Sequence, residues 1–201
     1  MLVSGSRLIN IPVLSVQAGG SIGRIVEPII DPDSLKIIAF FVAGSLVNRN
    51  FNILDVSSIR EYSRYGVVID NVDELVSSED VIKIQKVLEL NFKLPGLKVE
   101  TKKGSKLGSI LDYTVTDNDF VIQQIIVKRP TLKSLLDPEL TISRKEIVEV
   151  TDHKVIIKDE EKTLKERAEK EDFVPNFVNP FRKSEQDFVP VQTKSPADKD
   201  N

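Results

Sequence analysis

The stretch Gly20-Ser21-Ile22-Gly23-Arg24-Ile25-Val26 returns in the second half of the chain as Gly104-Ser105-Lys106-Leu107-Gly108-Ser109-Ile110, with Gly23 and Gly108 eighty-five residues apart. Each stretch follows an apolar run, supplies a turn, and opens an alternating apolar segment. Each then reaches an Asp-rich turn (Asp31-Pro32-Asp33-Ser34 and Thr116-Asp117-Asn118-Asp119) and another strand-like run. At the same offset Phe40 matches Ile125 and Val42 matches Val127. After a small insertion Ile59 matches Ile147 and Val68 matches Ile156. Apolar runs align by chance, but glycine turns do not align with them, so the chain reads as one small β-unit written twice.

Within the first unit, residues 13–16, 22–30 and 35–42 read as strands. The third is nearly all apolar and is expected either to be buried on both faces or to lie against the partner repeat. In the second unit, 97–101 alternates cleanly, and 107–115 and 120–128 follow as strands. Gly20, Gly23, Gly104 and Gly108 are read as structural turn glycines, with Gly19 and Gly20 supplying the positive φ of the first hairpin. Residues 131–137 read as one or two helical turns. Between the units, Ser78 is placed to cap a helix over 79–90, where Val81, Ile84 and Leu88 fall at helical spacing. That helix is expected to pack the two units together.

Composition mainly excludes. The 201 residues, 40% hydrophobic and 29% charged, suffice for a core and an ordinary soluble surface. No cysteine is present, which removes disulfides, thiolate metal sites and cysteine nucleophiles, and suits a reducing cytoplasm. The formal net charge is -3, without the basic bias of a nucleic-acid binder. Residues 91–157 alone are slightly basic, with 11 basic and 9 acidic side chains. No apolar run is long enough to cross a membrane, and no signal peptide is read at the N-terminus. A cytoplasmic protein is therefore expected.

The pattern of a turn, a Leu-Gly-x-Ile step, an Asp, a β-run and a later Ile-x-Arg/Lys-x-x-Ile turn resembles the PRC-barrel family. It is carried by Ile22-Gly23-Arg24-Ile25 and the run from Ile38 to Val42 in the first unit. In the second it is carried by Leu107-Gly108-Ser109-Ile110, Asp112 and Ile142-Ser143-Arg144-Lys145-Glu146-Ile147. The likeness spans residues 8–70 and 94–158 and is cleaner in the second unit. In the first, Glu27 and Pro28 replace Asp112 and Tyr113, which gives that strand more of an edge character. The resemblance implies small β-barrels used as protein-binding adaptors. Members include the H subunit of photosynthetic reaction centres and a 16S rRNA-processing factor that engages a ribosomal protein. Neither the membrane helix of the first nor the translation-factor-like barrel of the second is read here.

The expected fold is thus mainly β: a PRC-type barrel over 1–76, a short helical connector over 77–93, and a second barrel over 94–159. A charged helix-prone segment and a disordered tail follow over 160–201.

Candidates for chemistry are weak. His153, the single histidine, has no second imidazole or thiolate to complete a metal site. The Asp-rich turns lack the glycine and distal glutamate of a calcium loop. The stretch from Gly19 to Gly23 opens a strand, not the helix of a phosphate cradle. No catalytic residue, metal or cofactor is expected. Lys98, Lys102, Lys103 and Lys106 gather around the second hairpin, with Lys128, Arg129 and Lys133 further on. They form either a solvated hairpin tip or a patch for RNA phosphates or an acidic partner. In the tail, Asp172-Phe173-Val174-Pro175 recurs as Asp187-Phe188-Val189-Pro190, with Phe177 and Phe181 between. Apolar anchors in a polar segment suit docking to a partner protein, or onto the chain's own barrels, unless the recurrence is accidental. The leading expectation is a non-enzymatic adaptor for a protein partner. The alternative is an RNA-processing or ribosome-maturation factor.

Overall fold

Each glycine repeat sits where three strands meet. The computed structural model describes residues 1–159 except 49, 51, 78, 80 and 131–137. In the first unit the strands are β1 (Leu2–Ser4), β2 (Pro12–Ser15), β3 (Gly20–Asp31), β4 (Lys36–Ala43), β5 (Ile53–Asp55), β6 (Glu61–Ser63), β7 (Gly66–Ile69) and β8 (Leu75–Val76). Helix α1 (Ile82–Glu89) intervenes. The second unit supplies β9 (Lys98–Thr101), β10 (Lys106–Thr116), β11 (Ile122–Lys128), β12 (Glu139–Ser143), β13 (Ile147–Val150) and β14 (Lys154–Ile157).

Among the described residues these strands make two sheets. One runs β6-β7-β2-β3-β4-β5-β8, the other β12-β11-β10-β9-β14-β13 with β1 on β10. Without β8 and β1 the two orders are the same. Each contains one parallel pair, β2 with β7 and β9 with β14. The register repeats too: Phe40 lies between Pro28 and Leu54, and Ile125 between Tyr113 and Ile142. A 3₁₀ turn before the last hairpin also recurs. Asp55 caps it in one unit, and Ser143 with Glu146 forms a capping box in the other.

Irregularities recur at matching sites. Both long strands carry a bulge, between Ile25 and Glu27 in β3 and between Ile110 and Asp112 in β10. Bulges sharpen twist and bend a strand, and the sheet curls into a half-barrel. Strand β4 is buried on both faces, the first of the two options its apolar run leaves. Ile37, Phe40 and Val42 face the main core, while Ile38 and Ala39 face a smaller cluster.

Several placements differ from the sequence reading. Of the four turn glycines only Gly104 lies in a turn, with φ +80°; Gly20, Gly23 and Gly108 lie within strands. In the first hairpin Gly19 alone has positive φ. The helix is shorter than expected, because it starts after Val81, whose side chain offers no cap. The anticipated cap, Ser78, falls outside the described residues. Its buried residues, Ile84 and Val87, pack with Ile29, Ile38, Ala39 and Ile53, so the helix covers the first sheet and does not lie between the units. Residues Leu2–Ser4, assigned to the first unit by position, pair with Thr114–Thr116 of β10 in the second. Both units lie in one compact unit of the chain and share one main apolar cluster. Pro28, which has no N–H to donate, lies where β3 has β4 on one side and no strand of the described residues on the other. The helical turns expected at 131–137, and the whole segment 160–201, lie outside the described residues.

Candidate binding surfaces

The bulges decide what reaches the surface. The extra residue in each, Val26 in β3 and Leu111 in β10, is pushed outward and left 51% exposed. Strict alternation would have hidden one side of this pattern. Leu111 borders a cleft of about 310 Å³ whose apolar lining includes Ile9, Pro28, Phe92, Pro95 and Tyr113. The cleft thus draws on β3, β10, the segment after α1, and the 3₁₀ turn Gly5–Leu8. Lys93 and Glu27 form an ion pair at its rim, 2.9 Å apart and largely exposed.

Asp112 ties that wall together. Its carboxylate accepts bonds from Ser6 N–H at 3.1 Å, Ser6 Oγ at 2.8 Å and Tyr113 N–H at 2.8 Å, and a further bond from Ser4 Oγ. The N-terminal segment is thereby fastened to the second unit. Gly5 lies flat on the Tyr113 ring, where any Cβ would overlap the ring atoms. Burial, then the Asp112 and Glu27 charges, push the Tyr113 phenol well above its usual range, so it stays neutral. Hydrogen bonds to a charged acceptor contribute more than neutral ones, and here four converge on one carboxylate, so Asp112→Ala is expected to cost about 1.5–3 kcal/mol. Urea unfolding measures the loss, and amide exchange at Val3 and Val115 should accelerate with it.

A second concavity follows from register alone. Ser109 of β10 pairs with Lys98 of β9 on one side and Lys128 of β11 on the other. Three strands therefore present a row Lys98–Ser109–Lys128 on one face. Lys106 and Arg129 close a groove of about 420 Å³, with Gly108 and Ser109 as its floor and Pro130 as a wall. Glu100 also lines it and bonds Lys154 at 3.0 Å. Among the described residues no carboxylate forms an ion pair with Lys98, Lys106, Lys128 or Arg129. Of the predicted basic patch, Lys98 and Lys106 line this groove. Lys102 and Lys103 sit on the turn, with their backbone N–H groups bonded to Ile157 O and Asp159 Oδ1. Lys133 lies outside the described residues.

The remaining candidates resolve into turns. Asp31 accepts from Asp33 N–H and Ser34 Oγ. Asp119 accepts from Thr116 Oγ, which holds its carboxyl below the usual range. Asp117 is lowered by its bond from the N-terminal ammonium, 2.8 Å away. His153 Nε2 stands 3.1 Å from Asp152, both highly exposed. Among the described residues there is no cluster of three or more metal-ligating side chains, and no helix is long and apolar enough to cross a membrane. The tail residues Phe173, Val174, Pro175, Phe177, Phe181, Phe188, Val189 and Pro190 lie outside the described residues. The cleft and its Leu111 bulge were missed from sequence; an apolar residue that breaks alternation after Gly108 was the signal available. No family model matches the chain, and no curated protein matches it.

Proposed function

We propose that this chain is a non-enzymatic protein-interaction module, two tandem PRC-type barrels that hold an extended segment of a cytoplasmic partner in the cleft beside Leu111. The observation that carries this reading is the cleft itself. It is concave and apolar, with Ile9 and Leu111 standing at its edge. Binding sites are typically apolar concavities with a few polar groups fixing orientation, and about 310 Å³ suits one or two side-chain anchors of a peptide. Glu27, Lys93 and Asp112 supply the polar rim. The resemblance of the two repeats to PRC-barrels, which serve as adaptors, supports the same reading.

The test is affinity capture from native lysate on the full chain, compared with an Ile9→Glu, Leu111→Glu double variant. Both side chains are already half-exposed, so the variant should keep its melting temperature. A partner retained by the parent and lost by the variant is the expected result. Equal capture by both, with the fold intact, would remove the cleft from the function. A third sample ending at Asp159 separates partners of the barrels from partners of the tail.

A further inference from the structure

We propose that the cleft beside Leu111 and the basic groove of β9, β10 and β11 act as one elongated site for an extended peptide segment of a partner protein. That segment carries an apolar anchor and, about three residues away, a short acidic run. The anchor's place rests on the function proposed above; the acidic run is a separate claim. The two concavities follow one another along both chains that border them. On β10, Leu111 belongs to the cleft and Ser109, two residues away, to the groove. On the neighbouring segment Pro95 belongs to the cleft and Lys98, three residues away, to the groove. Between these points the chains are tied together. Gly96 N–H donates to Ile110 O at 2.8 Å, and Ile110 N–H to Leu97 O at 2.9 Å. Two to three residues of strand span roughly 7–10 Å, so a peptide anchored in the cleft reaches the lysine row within a few extended residues.

The duplication supplies an internal comparison for the cations. Because Gly23 and Gly108 are equivalent, the row Lys98–Ser109–Lys128 corresponds to Pro12–Arg24–Ala43 in the first unit. The same three-strand arrangement is built there without a lysine at either flank. The one cation of that first row is engaged, its guanidinium donating to Asn10 O at 2.6 Å. In the second unit Lys98 and Lys128 stand exposed on the outer strands. Among the described residues no ion pair ties down either of them, nor Lys106 or Arg129. Like charges gathered on one sheet face repel, so the fold itself does not call for them. Four cations around a groove of about 420 Å³ instead suit an anionic ligand.

Charge and shape then select the ligand and orient it. The cleft end presents Glu27 and Asp112, which turn an acidic run away, while the groove end presents the cations. The floor of Gly108 and Ser109 lets a peptide backbone approach the sheet, so its carboxylates fall between the flanking lysines. Apolar contact in the cleft supplies affinity, and the complementary charges supply orientation and a fast encounter. Single-stranded RNA fits less well. No aromatic lines the groove for base stacking, Glu100 intrudes, and the cleft's carboxylates oppose a chain that is anionic along its whole length.

Selection of a random-peptide display library on the full chain tests the joined site. Enriched sequences are expected to share an apolar anchor with a run of Asp or Glu about three residues away. The best of them, made as a labelled peptide, should bind the Lys98→Glu, Lys128→Glu variant at least about tenfold more weakly and lose affinity steeply as salt rises. The same library selected on that variant should return anchors without the acidic run. Lys128→Ala installs the residue that the first unit carries as Ala43, so its melting temperature should hold while the peptide still weakens. Anchors selected with no acidic preference overturn this inference and leave the cleft reading standing. Acidic runs selected without an anchor, or no enrichment at all, overturn both. Mixed-sequence single-stranded RNA supplies the last arm. If it binds the parent more tightly than the selected peptide and is lost on the Lys98→Glu, Lys128→Glu variant, the groove belongs to nucleic acid and the inference fails.

Discussion

Gly108→Ala is expected to unfold much of the molecule's stability margin, lowering the urea midpoint by about 2 M at an m-value typical of this size. Two separate effects act at this position. Its φ of +144° lies outside what an L side chain adopts, and a Cβ built there overlaps the Lys128 carbonyl oxygen. Backbone strain costs on the order of 1–3 kcal/mol and forced overpacking a similar amount, for about 3–5 kcal/mol together. That is a large share of the 5–15 kcal/mol a domain has in total. The clash cannot be relieved by a side-chain rotation, because the atom met is backbone and belongs to the ladder between β10 and β11. Gly23, at the matching place in β3, meets the Ala43 carbonyl oxygen at 2.7 Å without positive φ. Its alanine variant should therefore lose less, about 1–3 kcal/mol. Gly20 is the control: a Cβ there meets nothing within 4 Å, and alanine should leave the midpoint unchanged or slightly raised. Equal losses at Gly20 and Gly108 would refute this account of the repeat.

These three glycines also show what a sequence reveals. Spacing alone located Gly23 and Gly108 as equivalent, and the equivalence rests on one physical demand, the close approach of the neighbouring strand's carbonyl. Their work is not legible there, because a glycine needed in a turn and a glycine needed at a crowded crossing look alike in one dimension. The apolar run of β4 left burial on both faces or packing against the partner repeat as its two options, and of the helical stripe Val81, Ile84 and Leu88 only Ile84 is fully buried, with Val81 and Leu88 partly buried beside it. Pairings between distant segments leave no such trace. Nothing in Leu2-Val3-Ser4 names Thr114–Thr116 as its partner. Nor does anything in Lys98, Ser109 or Lys128 say that register will line them up across three strands. The outward turn of Leu111 depends on a bulge that only the paired strand defines. Composition and local pattern fix elements; the candidate surfaces arise from register and bulges, which are non-local.

Phe120→Ala is expected to cost about 3–5 kcal/mol and to weaken both units at once. Phe120 belongs to the β10–β11 turn of the second unit, yet it is fully buried against the first. Its ring meets Phe40 edge-on with centroids 5.5 Å apart and Tyr62 at 5.7 Å. Backbone bonds reinforce the joint: Ile37 N–H donates to Phe120 O at 3.0 Å and Ile122 N–H to Leu35 O at 2.9 Å. Arg144 adds Nη2 to Ser34 O at 2.7 Å. Truncating the ring opens a cavity lined by residues of both units and removes two aromatic pairs, each worth about 0.5–1.5 kcal/mol beyond burial. Phe120→Leu keeps most of the volume and the same backbone, so it should recover more than half of the loss. Amide exchange distinguishes a shared core from two independent barrels. With a shared core, protection at Phe40 and Leu54 falls together with protection at Ile125 and Val127, in one unfolding transition. Barrels that fold separately would give two transitions, with the loss confined largely to one set. A single transition that moves as a whole is the outcome this joint requires, because the ring and the flanking hydrogen bonds make each unit's core incomplete without the other.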